Sequence, residues 1–215
     1  MSRHALPLKW CMAGDVASRV PWFHKAPSDG YWAAAVSHHM NTDTYYPAVF
    51  PVGAFIRDDS APDALFYREP RLHRYLDADS AGRVEQFYAS RLKPGGAVLD
   101  VMTGYESHMP LSLHLSRLVG LGMNDDELRL NSQLTGRVIQ DLNVNYHLPF
   151  ADGEFDGVVM CAAVLYLIRP VEVFREIVRV LRPGGFVIVT YFDQGFPSKA
   201  VRIWLALNDE ARGYL

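Results

Sequence analysis

The strongest constraint in this chain is a helix pattern that halts on a glycine pair and passes directly into an apolar strand. Val171, Phe174, Ile177, Val178 and Leu181 recur at spacings of three and four, which winds one apolar stripe along a helix over 171–181. Pro170 suits its first turn, and Arg179 and Arg182 complement the negative end of its dipole. Pro183-Gly184-Gly185 then stops the helix, and an apolar run over 186–192 follows as a strand. The same alternation runs backwards through the chain. A helix pattern over 84–92 meets the turn Lys93-Pro94-Gly95-Gly96 and a buried strand over 97–101, with further strands over 117–123, 137–142 and 155–162. Strands alternating with helices predict a doubly wound, mainly parallel α/β sheet, because parallel neighbours need a crossover connection. Ligands of such sheets gather at the carboxyl ends of the strands.

Before residue 84 the character changes. Pro47, Pro51, Pro62 and Pro70 interrupt any long periodic run, and Trp22, Phe23, Tyr31, Trp32, Tyr45, Tyr46, Phe50 and Phe55 are too many aromatics to leave in water. The chain therefore divides into an aromatic-rich N-terminal extension or lid over 1–83, packed on the core near its cleft, and a core domain over 84–215. His24, His38 and His39 do not make a metal site, since adjacent histidines diverge and no cysteine or carboxylate completes a ligand spacing. No metal is expected.

Composition narrows the partners. A net charge of −3 over 215 residues argues against a surface built to neutralise phosphates, so nucleic acid is not an expected partner. No segment has the apolar length to span a bilayer and the opening residues lack a signal-peptide run, which reads as a soluble, cytoplasmic protein without a membrane partner. Of the two cysteines, Cys161 lies in an apolar run, where a small buried hydrophobe is the ordinary reading.

Leu148-Pro149-Phe150-Ala151-Asp152-Gly153-Glu154-Phe155-Asp156-Gly157-Val158-Val159, followed by Phe174-Arg175-Glu176-Ile177-Val178-Arg179-Val180-Leu181-Arg182-Pro183-Gly184-Gly185, resembles the pattern of class I S-adenosylmethionine-dependent methyltransferases, type 11-like. Val138-Ile139-Gln140-Asp141-Leu142-Asn143, Tyr166-Leu167, Phe196-Pro197-Ser198-Lys199-Ala200-Val201 with Ile203-Trp204, and Phe66-Tyr67-Arg68-Glu69-Pro70-Arg71 resemble a less characterised branch of that superfamily. The resemblance spans 66–208. It implies a Rossmann-like sheet ordered 3-2-1-4-5, S-adenosylmethionine as cofactor and a small-molecule acceptor.

It also implies a site, residue by residue. In the superfamily the first strand ends in an acid and a glycine-rich turn; here Asp100 and Gly104 match, while Met102 and Glu106 replace the flanking glycines. Gly122 stands where the second strand usually carries the acid for the ribose, leaving Asn124 as an acceptor and Met123 to pack on the adenine. Asp141 and Leu142 match the adenine-binding end of the third strand, although Asp141 is equally suited to cap a turn with Asn143. Cys161 ends the fourth strand beneath the cofactor, where core packing is its competing role.

Methyl transfer relies on proximity and orientation, with a base needed only when the acceptor must lose a proton. His108 and Tyr166, with His147 as a third, are the polar groups whose chain positions point to the cleft mouth, against packing or loop hydrogen bonding. The helix after the fifth strand, over 198–204, is expected to turn Val201 and Trp204 inward and leave Lys199 and Arg202 in solvent. A non-catalytic, methyltransferase-like binding protein is the alternative that Met102, Glu106 and Gly122 support, and an enzyme of this fold using a modified nucleoside is a third. Residues 205–215 hold no second strand-length apolar run, so the C-terminal strand hairpin common in the superfamily is absent. The bare edge of the fifth strand then calls for cover by the N-terminal segment or by a second copy in a homodimer.

Overall fold

A computed structural model describes residues 9–13, 24–25, 31–33, 50–191 and 195–212. The side chains of Trp22, Phe23, Tyr31, Trp32, Tyr45, Tyr46, His24, His38 and His39 lie outside what it describes. Three short strands come first: β1 Lys9–Ala13, β2 His24–Lys25 and β3 Tyr31–Ala33. Then follow α1 Asp63–Phe66, α2 Ala78–Arg91, β4 Ala97–Val101, β5 Arg117–Gly122, α3 Asp125–Leu130 and β6 Gly136–Ile139. The chain continues through β7 Phe155–Cys161, a 3-10 turn Val164–Tyr166, α4 Pro170–Val180, β8 Leu181–Tyr191, α5 Arg202–Ala206 and α6 Asp209–Arg212. Among the described residues no helix is long and apolar enough to cross a membrane.

The sheet is ordered β2-β3-β1-β8-β7-β4-β5-β6. Strands β4 to β8 pair in parallel. Counted from β4 they run 3-2-1-4-5, the Rossmann-like methyltransferase order. Each face buries one helix stripe. On one face Val173, Ile177 and Val180 of α4 pack with Leu99, Val101, Val158 and Met160; on the other, Val84 and Tyr88 of α2 pack with Val98, Val159 and Ile188. Each such side chain, taken from water, contributes about 1.5–3 kcal/mol.

Several boundaries moved for identifiable reasons. Helix α2 begins at Ala78 instead of 84, because Asp77 caps it by accepting the Ser80 amide at 2.7 Å and its first turn carries little apolar signal. The ladder to β8 starts at Leu181, and a register shift between Phe155 and Gly157 absorbs the Pro183-Gly184-Gly185 turn before pairing resumes at Phe186. The helix expected over 198–204 is a set of turns followed by α5 from Arg202. Val201 and Trp204 are buried as expected.

Lys199 is the clearest reversal, because its side chain is only 1% exposed instead of solvated. The ammonium reaches Asp59 at 3.1 Å, Asp63 at 3.2 Å and the Ala61 carbonyl at 2.8 Å. A buried cation persists only when paired, and here two carboxylates and a carbonyl pair it.

The outer edge of β8 is covered by the chain's own beginning. β1 pairs antiparallel with it, from Lys9 opposite Tyr191 to Ala13 opposite Val187, and β3 then pairs parallel with β1. Cys11 lies opposite Val189 on one side and Trp32 on the other, so its N–H faces one neighbour or the other. Cys11→Pro should remove a ladder hydrogen bond whichever way that group points, at a cost of about 1 kcal/mol or more. Amide exchange at Val187 to Tyr191 should quicken in the variant; exchange as slow as in the parent would show that β1 does not protect this edge.

Candidate functional site

One cleft of about 360 Å³ opens where the parallel strands end. The turn after β4 contributes Met102 to Glu106 and His108, the end of β5 contributes Gly122, Met123 and Asn124, β6 leads into Gln140 to Asn143, and β7 into Cys161 to Ala163. The facing wall comes from before the core, through Asp63, Tyr67, Arg71, His73 and Tyr75, joined by Tyr166 and Phe196. Gly104, His108, Met123, Asn124, Asp141, Leu142, Cys161 and Tyr166 all line this cleft. His147 does not: it is exposed, stacked on Tyr146 and turned toward Glu176 at 3.9 Å.

Backbone strain concentrates at this cleft. Among the described non-glycine residues, Met102, His108 and Ala162 have positive φ, at 59°, 53° and 59°, and all three line it. Such conformations cost on the order of 1–3 kcal/mol each and persist only where surrounding contacts impose them. Here Asn131 pins the turn by donating to the Gly104 carbonyl at 3.1 Å and the Ser107 hydroxyl at 2.9 Å, while Gln133 grips Met109 through both its backbone groups. Met102 therefore keeps the left-handed backbone that a glycine would supply, despite its side chain.

Gly122 lacks an acid for a steric reason. The Thr103 amide donates to the Leu121 carbonyl at 3.0 Å, which draws the β4 turn against the end of β5, and any Cβ at 122 would run into the Thr103 carbonyl oxygen. Asn124 does not make good the loss, since its side-chain oxygen caps α3 by accepting from Asp126 and Glu127, and its amide donates to the Tyr67 and Arg68 carbonyls. The carboxylate that enters the cleft beside this turn is Glu127, from α3. One of its oxygens accepts the Arg71 amide at 2.7 Å, and the other lies 2.7 Å from where a Cβ on Gly104 would stand. Burial raises its pKa. Glu127 escaped the sequence reading because the Asn124-x-x-Glu127 spacing looks like a helix start.

Asp100 is 2% exposed and lies beneath the cleft rather than in its wall. Ser107 and Thr103 hold it, yet its Oδ2 has no hydrogen-bond partner, and burial pushes its pKa up to about 7. Cys161 beside it is raised to about 12 by desolvation, which leaves a neutral thiol unsuited to nucleophilic attack. Asp141 accepts the Asn143 amide at 2.8 Å through one oxygen, so the turn-capping role is real, and the carboxyl still faces the cleft with its pKa raised by burial. Burial lowers the His108 pKa and so favours the neutral imidazole. The Tyr166 hydroxyl accepts the Phe196 amide at 2.9 Å and its pKa is raised by burial.

Residues 99–189 match the family model described as a methyltransferase domain. Over these residues the α/β core is similar to the methyltransferase domain. The chain is 35% identical over 118 residues to the sterol 24-C-methyltransferase erg6 of Schizosaccharomyces pombe, covering 50% of this chain and 31% of that protein. It is 25% identical over 145 residues to the ubiquinone/menaquinone biosynthesis C-methyltransferase UbiE of Geotalea daltonii, 60% of each. An S-adenosylmethionine-dependent methyltransferase structure from Mesorhizobium loti aligns at 21% identity with a TM-score of 0.41, over 48% of this chain and 50% of that one. The chain thus spans less than two thirds of the length of these relatives.

The methyltransferase family implies S-adenosylmethionine as cofactor, and the residues present fit it. The cleft sits at the strand ends where that fold takes its ligand, the missing Cβ of Gly104 makes room for the Glu127 carboxyl, and Glu127 and Asp141 are acceptors of the kind a nucleoside requires.

Two outcomes follow. Gly122→Ala should destabilise the methyltransferase core by about 1–3 kcal/mol through overpacking against backbone, read as a lower urea midpoint; an unchanged midpoint would mean that the β4 turn can give way. Asp100, with a folded pKa above its unfolded value, stays protonated in the native state between pH 4 and 7 while the unfolded state has already lost the proton. Its contribution is therefore full below about pH 4 and is lost as pH rises toward about 7, by up to roughly 4 kcal/mol. The difference in unfolding free energy between Asp100→Asn and the parent should shift in favour of the variant from pH 5 to pH 7.5, and a difference independent of pH would contradict the buried, protonated carboxyl.

Proposed function

We propose that this chain is an S-adenosylmethionine-dependent methyltransferase acting on a small molecule in the cytoplasm, with the segment before the core serving as a lid. The observation that carries the reading is the convergence of the turns after β4, β5, β6 and β7 on one cleft, closed by Tyr67, Arg71 and Tyr75 from that segment. Relatives named as sterol and quinone C-methyltransferases support an organic acceptor of modest size.

In this reading Asp141 accepts from the adenine amino group, the Leu142 amide donates to the ring, and Met123 packs on its face. Glu127 receives the ribose hydroxyls in place of the acid excluded at Gly122. Gly104 admits the methionine portion beside it, and Cys161 lies on the floor with Asp100 beneath it. The bound cofactor supplies a methyl group activated on sulfonium sulfur. Neutral His108 accepts a proton from an acceptor that must lose one, while the Tyr166 hydroxyl, protonated at neutral pH, donates a hydrogen bond that orients it. A second reading, a methyltransferase-like binding protein with altered cofactor use, draws support from Gly122 and from an Asn124 whose side chain is fully spent.

Calorimetric titration with S-adenosylmethionine and S-adenosylhomocysteine separates the two, because binding of both favours the enzyme and absence of both favours the second reading. Asp141→Ala should weaken adenosyl-ligand binding by about 1–3 kcal/mol, the usual cost of losing a charged hydrogen-bond partner. Equal affinity in a folded variant would assign Asp141 to turn capping alone.

A further inference from the structure

Among the described residues, Arg71 is the one arginine or lysine in the cleft wall. Its guanidinium lies 4.2 Å from the centroid of the Phe66 ring and 4.5 Å from that of Phe196, so two aromatic faces hold it flat. One Nη donates to the Phe66 carbonyl at 3.0 Å and the guanidinium also engages the Tyr75 hydroxyl, while Nε is buried without a hydrogen-bond partner. No carboxylate forms an ion pair with it among the described residues. The neighbouring acids are engaged elsewhere: Asp63 by Arg57 and Lys199, Glu106 by Arg74, and Glu127 by the Arg71 backbone amide instead of the guanidinium. A guanidinium fork with unused donors beside a cavity is suited to a planar oxyanion, which it can bind with two parallel hydrogen bonds.

Its position assigns the anion to one part of the cleft. Phe196 follows β8, and Tyr75 packs edge-on against Phe196 at 5.9 Å, with Tyr166 tilted against the same ring. The guanidinium thus faces the segment after β8, whereas the Arg71 backbone amide faces Glu127 on the β5 side, where Met123 also lies. Resting on the methyltransferase reading, we propose that the acceptor is a flat, conjugated carboxylate whose negative group pairs with Arg71 while its ring lies against Phe196 and Tyr75.

The full chain saturated with S-adenosylhomocysteine is titrated with benzoate and with benzamide, its uncharged counterpart. Benzoate should bind at least about tenfold more tightly than benzamide, and Arg71→Met should abolish that preference with S-adenosylhomocysteine affinity held within about twofold. Arg71→Lys, which keeps the charge but loses the planar fork, should retain part of it. Equal binding of benzoate and benzamide, or an unchanged preference in Arg71→Met, overturns the proposal. So does a loss of S-adenosylhomocysteine affinity in Arg71→Met that matches the loss seen when the parent is given the decarboxylated analogue 5′-S-(3-aminopropyl)-5′-thioadenosine, since Arg71 would then hold the cofactor's own carboxylate. If Arg71→Met fails to fold by circular dichroism, the parent's benzoate preference and its partial loss in Arg71→Lys decide the matter. Should S-adenosylhomocysteine not bind at all, the methyltransferase reading falls by itself, and an Arg71-dependent preference for benzoate in the free protein still supports the carboxylate site.

Discussion

The far wall of the cleft hangs on a buried charge cluster. Lys199, from the segment after β8, is sealed between Asp59, Asp63 and the Ala61 carbonyl, and Asp63 also takes Arg57 at 2.8 Å and the Asn143 amide at 2.9 Å. Asn143 continues the chain of contacts to the Tyr166 carbonyl and the Ile168 amide. Three stretches that follow β6, β7 and β8 are thereby joined to a fourth that precedes the core. Removing the Asp63 carboxylate would strand the buried Lys199 and Arg57, a loss of about 3–5 kcal/mol for a buried pair, while Asp59 stands at the solvent edge of the cluster. The network helps fix the strap of residues 57–76 across the strand ends, and without the strap the strand-end turns would face open solvent.

The parallel core was legible because its signals are local. Apolar runs bounded by glycine and proline located β4, β5, β7 and β8, and the three-four spacing of Val171, Phe174, Ile177, Val178 and Leu181 reported a helix, although the face that buries against the sheet is turned to Val173, Ile177 and Val180. Residues at strand ends were legible for the same reason, since a doubly wound sheet fixes where its turns must gather. The strap was not. Lys199 reads as a solvated cation in any short window, and only its pairing with residues about 140 positions earlier makes burial tolerable. Tyr67, Arg71 and Tyr75 lack a periodic pattern, so no window analysis assigns them to a wall built by strands far along the chain.

The departures from the family's glycine turn now have a common physical account. Thr103 is pulled onto β5, which excludes a side chain at Gly122; the left-handed backbone survives at Met102 without glycine; and Glu127 enters the space beside Gly104. These changes compensate one another around a single turn. Read one position at a time they resemble decay, whereas the contacts of Asn131 and Gln133 show the turn held at several points.

The pairing of β1 with β8 bears on how the molecule assembles. The two strands stand near opposite ends of the chain, and Lys9 lies opposite Tyr191. On the ribosome β1 emerges before β4, β5, β6 and β7, and its partner edge is made only after those strands have been synthesised. Closing so long a loop costs entropy that grows only slowly with length, yet contacts of this span delay a folding transition strongly. The parallel core can form from neighbouring units while the first residues wait, so docking of β1 belongs to a late step of folding, and the edge of β8 is open in whatever intermediate precedes it.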